Sequence, residues 1–190
     1  MSRHPVPTTA AAITIRLARA MDAPALAALA ERTFRATFDP HNSDANMRLY
    51  CGRAYDAAIQ AAEIADPRRV TIVADDGGAL VGYAQLRQGD APACVVADRP
   101  AEIQRIYVDA RWHGRGVAQA LMDAALGHAR ERRADRVWLG VWEHNARARR
   151  FYGKSGFAEV GDHAFVLGDE VQRDLVMVRE LGAAVDSTAS

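Results

Sequence analysis

From residue 106 to residue 118 the chain reads Ile-Tyr-Val-Asp-Ala-Arg-Trp-His-Gly-Arg-Gly-Val-Ala. An apolar strand runs into a turn, and the turn opens a helix. Gly114 and Gly116 let the backbone come close to a ligand and take conformations that other residues resist. The first N–H groups of a helix are unpaired and sit at the positive end of its dipole. Such a turn can cradle a pyrophosphate, with Arg111 and Arg115 adding positive charge. The run is not a Walker loop, which would end in Gly-Lys-Ser/Thr. It is not a dinucleotide fingerprint either, which needs a third glycine and an acidic residue about 20 positions on. Taken alone, it also suits a plain glycine turn into a helix.

A second constellation follows. Asn145, Ala148, Phe151, Tyr152, Gly156 and Phe157 stand as Asn-x-x-Ala-x-x-Phe-Tyr-x-x-x-Gly-Phe. One predicted helix and one predicted strand separate it from the glycine turn. The two motifs, in this order, resemble the acyl-CoA loop and the second signature of the GNAT superfamily of N-acetyltransferases. The resemblance spans roughly Ile13 to Glu180 and is strongest from Glu102 to Phe157. A narrower likeness, to the PaiA-type bacterial spermidine/spermine acetyltransferases, rests on Val160 to Glu170 running into Gln172 to Met177. Ser43, Met47, Tyr50 and Val81-Gly82-Tyr83 point the same way.

The resemblance implies acetyl-CoA as cosubstrate, no metal, and direct attack by a primary amine in a ternary complex. Ile106, Tyr107 and Val108 would form a strand edge that pairs with the pantetheine arm, a ligand version of β-augmentation. Arg111, His113, Gly114, Arg115, Gly116, Val117 and Ala118 would hold the pyrophosphate. Asn145 would bond the pantetheine arm. Lys154 would reach its phosphate end, or serve only as an exposed helix lysine. Tyr152 matches the general-acid position: a phenol with an ordinary pKa near 10 is protonated at neutral pH and can donate. It also suits a packing role. Glu102 is the expected base, on one strand face with Gln104, Ile106 and Val108. His113, Glu143, His144 and His163 are alternatives, and a water chain is another. A backbone N–H near Val108 would meet the oxyanion. Asp39, Asp44, Asp56 and Glu63, with Tyr50, Tyr55 and Tyr83, would attract a polyamine or similar small cation. Other amines, peptide or small-molecule, remain alternatives, as does a CoA-binding protein without catalysis. Relatives of this kind pair through edge strands, so a homodimer is compatible with the likeness.

The elements that must position these residues can be read from periodicity. Ile13 to Leu17 alternates as a strand. Asp22 and Pro24 start a helix that Asp39-Pro40 breaks. A single second helix is expected from Ser43 to Pro67. Val70 to Asp75 and Ala79 to Arg87 flank Asp76-Gly77-Gly78, a hairpin signal. Strands are expected at Glu102 to Val108, Val137 to Trp142, Phe157 to Val160 and Arg173 to Arg179. Helices are expected from Gly116 and over Asn145 to Ser155. This order is α/β with helices flanking one sheet. The resemblance sharpens it to a GNAT fold: a mixed, mostly antiparallel twisted sheet of about seven strands, splayed in a V between strands 4 and 5, with four helices.

Composition sets the outer bounds. The 190 residues are 49% hydrophobic and 25% charged, an ordinary globular mix that fits one domain. We place that domain at 12–181, with flexible tails at 1–11 and 182–190. No apolar run approaches the roughly 20 residues of a membrane span. Met1 to Ala12 lacks the pattern of a secretory signal. Cys51 and Cys94 form no metal spacing or disulfide framework, so a cytoplasmic, reducing setting is expected. The 24 basic and 24 acidic residues cancel, yet residues 20–98 carry −4 and residues 99–154 carry +6. The arginine clusters at 130–133 and 147–150 invite a nucleic-acid reading, but zero net charge opposes it.

Overall fold

The structure is a computed structural model and describes residues 13–167 and 170–182. Seven strands form one sheet: β1 (Thr14–Leu17), β2 (Arg69–Asp76), β3 (Ala79–Gln88), β4 (Pro100–Val108), β5 (Arg136–Trp142), β6 (Ala158–Leu167) and β7 (Glu170–Glu180). Their order is β1-β2-β3-β4-β5-β7-β6. Every pairing is antiparallel except β4 with β5. The α-helices are α1 (Ala23–Phe38), α2 (Asp44–Ala54), α3 (Ala57–Ala65), α4 (Val117–Glu131) and α5 (Ala146–Lys154). The tails expected at 1–11 and 182–190 lie, apart from Gly182, outside the described residues.

The parallel pair carries the architecture. It is in register only at Pro100↔Arg136, Ala101↔Val137 and Glu102↔Trp138. Beyond that point β4 follows β3 as far as Gly82↔Val108, and β5 follows β7 as far as Trp142↔Asp174. The two strands therefore part, and the expected V opens between them. The closed end is pinned: the Asp135 carboxylate accepts the N–H groups of Asp98 and Arg99 at 2.8 and 2.9 Å, just before β4.

A bulge sits where the strands part. Gln85 faces Arg105 and Leu86 faces Ile103, which leaves Gln104 as an extra residue on β4. The bulge reverses the face pattern. Ile103, Ile106 and Val108 all pack toward the α4 core, whereas Arg105 and Tyr107 face the α1–α3 side. The expectation that Glu102 shares a face with Ile106 and Val108 is thus corrected. A strict two-residue period fails across one inserted residue.

Two apolar layers cover the sheet. On one face α4 buries Val117, Leu121, Met122, Ala125, Leu126 and Ala129, joined by Tyr152 and Phe157. On the other, Leu26, Leu29, Ala30 and Phe34 of α1 pack with Met47, Cys51 and Tyr55 against Val73 and Tyr83.

Among the described residues there are five α-helices, not four. The expected single helix from Ser43 to Pro67 breaks at Tyr55, whose ψ of 24° ends α2. Asp56 takes an extended conformation and accepts the Ala58 N–H at 2.7 Å, capping α3. The apolar stripe continues across the break, which is why periodicity alone missed it. The sixth strand is also longer than expected. Its charged, alternately exposed residues lie at the sheet edge, and the apolar alternation that marks a strand is weak there.

Asp56→Ala should lower stability by about 1 kcal/mol through loss of the α3 cap. Urea unfolding measures it, and the steady-state constants for an amine should not change, because Asp56 does not line the cavity described next.

Candidate active site

A cavity of about 930 Å³ occupies the V and reaches both faces of the sheet. The glycine turn, the first turn of α4 and α5 line one mouth. Residues of α1 and α2, with β6 and β7, line the other.

At the first mouth, Asp109 organises the turn. Its Oδ1 accepts the Arg111 N–H at 3.2 Å, and its carboxylate pairs with the Arg111 and Arg32 side chains. The Arg111 hydrogen bonds hold the Asp109 carboxyl down at about 2. Gly114 and Gly116 take φ values of +73° and +81°, in the left-handed region that favours glycine. A Cβ at either would meet nothing within 4 Å, so the space over the turn is open. Gly116 is the N-cap of α4 and has no side chain with which to cap it. The first intrahelical bond is Ala120 N–H to Gly116 C=O at 3.0 Å. The N–H groups of Val117, Ala118 and Gln119 therefore precede the helical ladder, with no acidic side chain in that turn. Unpaired N–H groups at the positive end of a helix dipole are suited to an anion. Arg111 and Arg115 flank it as exposed residues, Arg115 lying over the Trp112 ring at 5.2 Å.

His113 spans the mouth. Its Nε2 lies 2.9 Å from the Val108 carbonyl, and its Nδ1 lies 2.8 Å from Arg147 Nη1 of α5. A carbonyl only accepts and a guanidinium only donates. The ring is therefore neutral, with the proton on Nε2. Both nitrogens are engaged, which leaves His113 a bridging residue in this arrangement. The β4 edge at Ile106, Tyr107 and Val108 has no strand on its β5 side. Asn145 caps α5, its Oδ1 accepting the Ala148 N–H at 3.1 Å, and its amide NH₂ remains for the cavity it lines.

Tyr152 is buried between Phe151 and Phe157 and lines the cavity where the strands part. Packing and cavity roles coincide in it. Burial raises its phenol above the ordinary value, and the Asp174 carboxylate adds to the rise. The hydroxyl is thus a proton donor throughout the neutral range.

Glu102 lines the closed end. Its Oε2 accepts from Arg87 Nε at 2.9 Å and Nη2 at 2.5 Å, so it is already held as an ion pair. Glu143 is paired with Arg173 at 3.1 Å, and His144 is exposed. Lys154 is exposed at the end of α5 and does not line the cavity. The acidic set expected to attract a polyamine is likewise placed elsewhere. Glu63 binds Arg105 at 2.6 Å, Asp39 pairs with Arg35, Asp56 caps α3 and Asp44 is exposed in the first turn of α2. Tyr83 is fully buried core, whereas Tyr50 and Tyr55 line the cavity.

One group has no counterpart among the sequence candidates. Asp174 of β7 lines the cavity beside His163 of β6, and the two are partners in register. Neither Asp174 Oδ1 nor His163 Nε2 has a hydrogen-bond partner among the described residues, though both atoms are buried. Burial pushes the Asp174 carboxyl up to about 6, against the opposing pull of His163. The β6–β7 register runs back from Leu167↔Glu170 and so sets His163 opposite Asp174.

A split α/β sheet whose open strand edge leads to an uncapped, glycine-initiated helix is the framework of an acyl-CoA-dependent N-acetyltransferase. Residues 24–157 match the model of the acetyltransferase (GNAT) family, and the chain belongs to that family. It is 41% identical over 160 residues to an uncharacterized N-acetyltransferase of Mycobacterium tuberculosis, covering 84% of this chain and 98% of the relative. It is 33% identical over 160 residues to an uncharacterized N-acetyltransferase of Lactobacillus delbrueckii subsp. lactis, covering 84% and 92%. Among solved structures it resembles the PaiA N-acetyltransferase of Thermoplasma acidophilum in complex with coenzyme A. There the TM-score is 0.73 at 18% identity, over 90% of this chain and 99% of that one, a likeness of fold alone. No helix among the described residues is long and apolar enough to cross a membrane, and no cluster of His, Cys, Asp and Glu among them is placed to hold a metal.

The Asp174 shift has a sign that stability should reveal. A carboxyl raised in the folded state favours folding least where it must ionise, above about 6, and is neutral in cost below the unfolded value. Asp174→Asn should therefore be more stable than wild type by roughly 1–3 kcal/mol at pH 8, with the gap closing toward pH 4. Urea midpoints across that range provide the test, and a gap that widens toward acid would contradict the burial argument.

Proposed function

We propose that the enzyme transfers the acetyl group of acetyl-CoA to a small primary amine by direct attack in a ternary complex. The observation that carries this is the through-sheet cavity, which joins the glycine turn and open β4 edge on one face to an aromatic pocket on the other, with Tyr152 between them.

The residues present fit the cosubstrate. The uncapped N–H groups at Val117 to Gln119 suit the pyrophosphate, and the glycines at 114 and 116 leave room for it. Arg111, Arg115 and His113 border that cradle, and Lys154 lies further out on the same face. The exposed backbone of Ile106 to Val108 suits the amides of the pantetheine arm, with the Asn145 NH₂ beside it. The thioester supplies the activated acyl group. Tyr152 donates a proton to the departing sulfur. Asn145 fixes the start of α5 through its cap and so fixes Tyr152 two turns on.

The acceptor enters from the other face. Phe38, Tyr50, Trp142 and Phe165 form its walls, with Phe38 and Trp142 5.8 Å apart and Tyr50 and Phe165 5.7 Å apart between ring centroids. Aromatic faces attract an ammonium and shelter an apolar body. Three carboxylates line the cavity: Glu102 and Asp109 are held by arginines, and Asp174 is not. One unpaired carboxylate among aromatic rings suits an amine with a single cationic centre next to an apolar group. A polyamine, the acceptor suggested by the PaiA likeness, would meet this one carboxylate without the acidic set that was expected to bind its further charges. Glu102 remains the base that the family resemblance suggests, with its Arg87 ion pair to break first.

Thiol release from acetyl-CoA, with 2-phenylethylamine, spermidine, lysine and short peptides in parallel, tests the reading. Turnover is expected with at least one small amine. Tyr152→Phe should lower kcat about 100-fold while leaving the acetyl-CoA Kd unchanged within about a factor of two. Acetyl-CoA binding with no turnover on any amine would defeat the enzymatic reading and favour a CoA-binding role.

A further inference from the structure

Acetylation of an ammonium removes two protons from its nitrogen. One goes with the departing thiol, supplied by Tyr152. The other needs an acceptor on the face where the amine enters. The ion-paired Glu102 stands at the closed end of the V, and His113 has both nitrogens engaged on the opposite mouth.

The geometry points to Asp174, backed by His163, as the group that receives the acceptor amine and takes its first proton. Three observations place the pair for this. Both residues line the acceptor side of the cavity. Both lean over Gly140 of β5, where a Cβ would lie 2.8 Å from His163 Nε2 and 3.3 Å from Asp174 Oδ2, so only glycine admits them there. Both keep a buried polar atom without a protein partner, which a buried group tolerates only where something else satisfies it. An ammonium supplies the donors that the carboxylate lacks.

His163 of β6 acts on Asp174, the Asp174 charge acts in turn on Tyr50 of α2 and Tyr152 of α5, and on β5 Asp174 lies beside Gly140 and opposite Trp142. Neighbouring Arg173 is turned to Asp162 and Glu143, and Arg105 of β4 is held by Glu63. Among the described residues no arginine or lysine pairs with the carboxylate, and His163 is the basic group that acts on it. A carboxyl at about 6 is ionised at neutral pH yet basic enough to hold a proton briefly.

The balance then closes. The ammonium gives one proton to Asp174, and the neutral amine forms the C–N bond as the C–S bond breaks. Tyr152 protonates the sulfur and is restored by the second proton from nitrogen. Asp174 returns its proton to solvent. Products are the amide, the free thiol and one released proton.

This rests on the acetyltransferase reading, and the experiment separates the two. With 2-phenylethylamine and spermidine as probes, kcat/KM for the amine is measured from pH 5 to 9, alongside acetyl-CoA binding by calorimetry. Wild type should rise with unit slope and level off above about pH 6. Asp174→Asn should lose 100-fold or more in kcat/KM for the amine, lose the break near 6, and bind acetyl-CoA as wild type does. Asp174→Glu should regain part of the rate with a break. His163→Asn should keep turnover but move the break to higher pH, since His163 holds Asp174 down. A break that survives in Asp174→Asn, or that vanishes only in Glu102→Gln, overturns the assignment while the acetyltransferase reading stands. Absence of turnover with every amine overturns both.

Discussion

Everything in this molecule depends on three backbone pairs. β4 and β5 hold together at residues 100–102 and 136–138, then separate. Each strand has a stronger attachment elsewhere: β4 runs with β3 to its last residue, and β5 runs with β7 to its last residue. The V is therefore the gap between two well-paired half-sheets rather than a weak point in one sheet. A parallel edge left open in water would be a site for stray pairing. Here it faces a cavity, roofed by α4 and α5 on one side and by α1 and α2 on the other. The same separation leaves the β4 backbone from Ile106 to Val108 unpaired on its β5 side among the described residues, and brings Tyr152 and Asp174 into the lining of one cavity.

Local devices hold that gap in shape. The Gln104 bulge reverses the side-chain faces of β4, so that Tyr107 meets the aromatic layer of α1 while Ile106 and Val108 seat on α4. Asp109 clamps the turn that follows, and the positive φ of Gly114 and Gly116 brings α4 in with its first N–H groups uncapped. His113, fixed as a neutral ring by a carbonyl and a guanidinium, ties the end of β4 to the start of α5. Gly140 is the counterpart on β5. Its missing side chain is the space His163 and Asp174 occupy. In the proposed reading the two half-sheets divide the chemistry, with the β1–β4 half offering backbone to the donor and the β5–β7 half offering side chains to the acceptor.

The sequence made the donor half legible because that half works through local signals. Glycine spacing, a strand leading into a helix and the Asn-to-Phe signature lie within short windows, and the structure puts Gly116 and Asn145 at helix N-caps and Val117 and Tyr152 in the cavity lining. The acceptor half depends on long-range placement. Asp39, Asp44, Asp56 and Glu63 suggest a cation site by composition, yet a cap and ion pairs absorb Asp39, Asp56 and Glu63 and Asp44 stands exposed on α2, because a carboxylate's neighbours are set by the fold. Asp174 lies within the Gln172 to Met177 stretch, but its meaning needs the β6–β7 register, the absence of a side chain at 140 and the gap beside β4. Glu102 shows the converse. One bulge, invisible to a two-residue period, changes the face its side chain shares, and Arg87 claims its charge.

In the proposed reading acetyl-CoA enters the V and pairs with the open edge of β4. Hydrogen–deuterium exchange of the intact protein, with and without acetyl-CoA, tests it most directly. The account predicts slowed exchange in two places at once, the amides of Ile106 to Val108 and those of Val117 to Gln119, with β6 unaffected. Protection confined to the α4 turn, with β4 exchanging as before, would mean that the cosubstrate binds at the surface and the V serves another purpose.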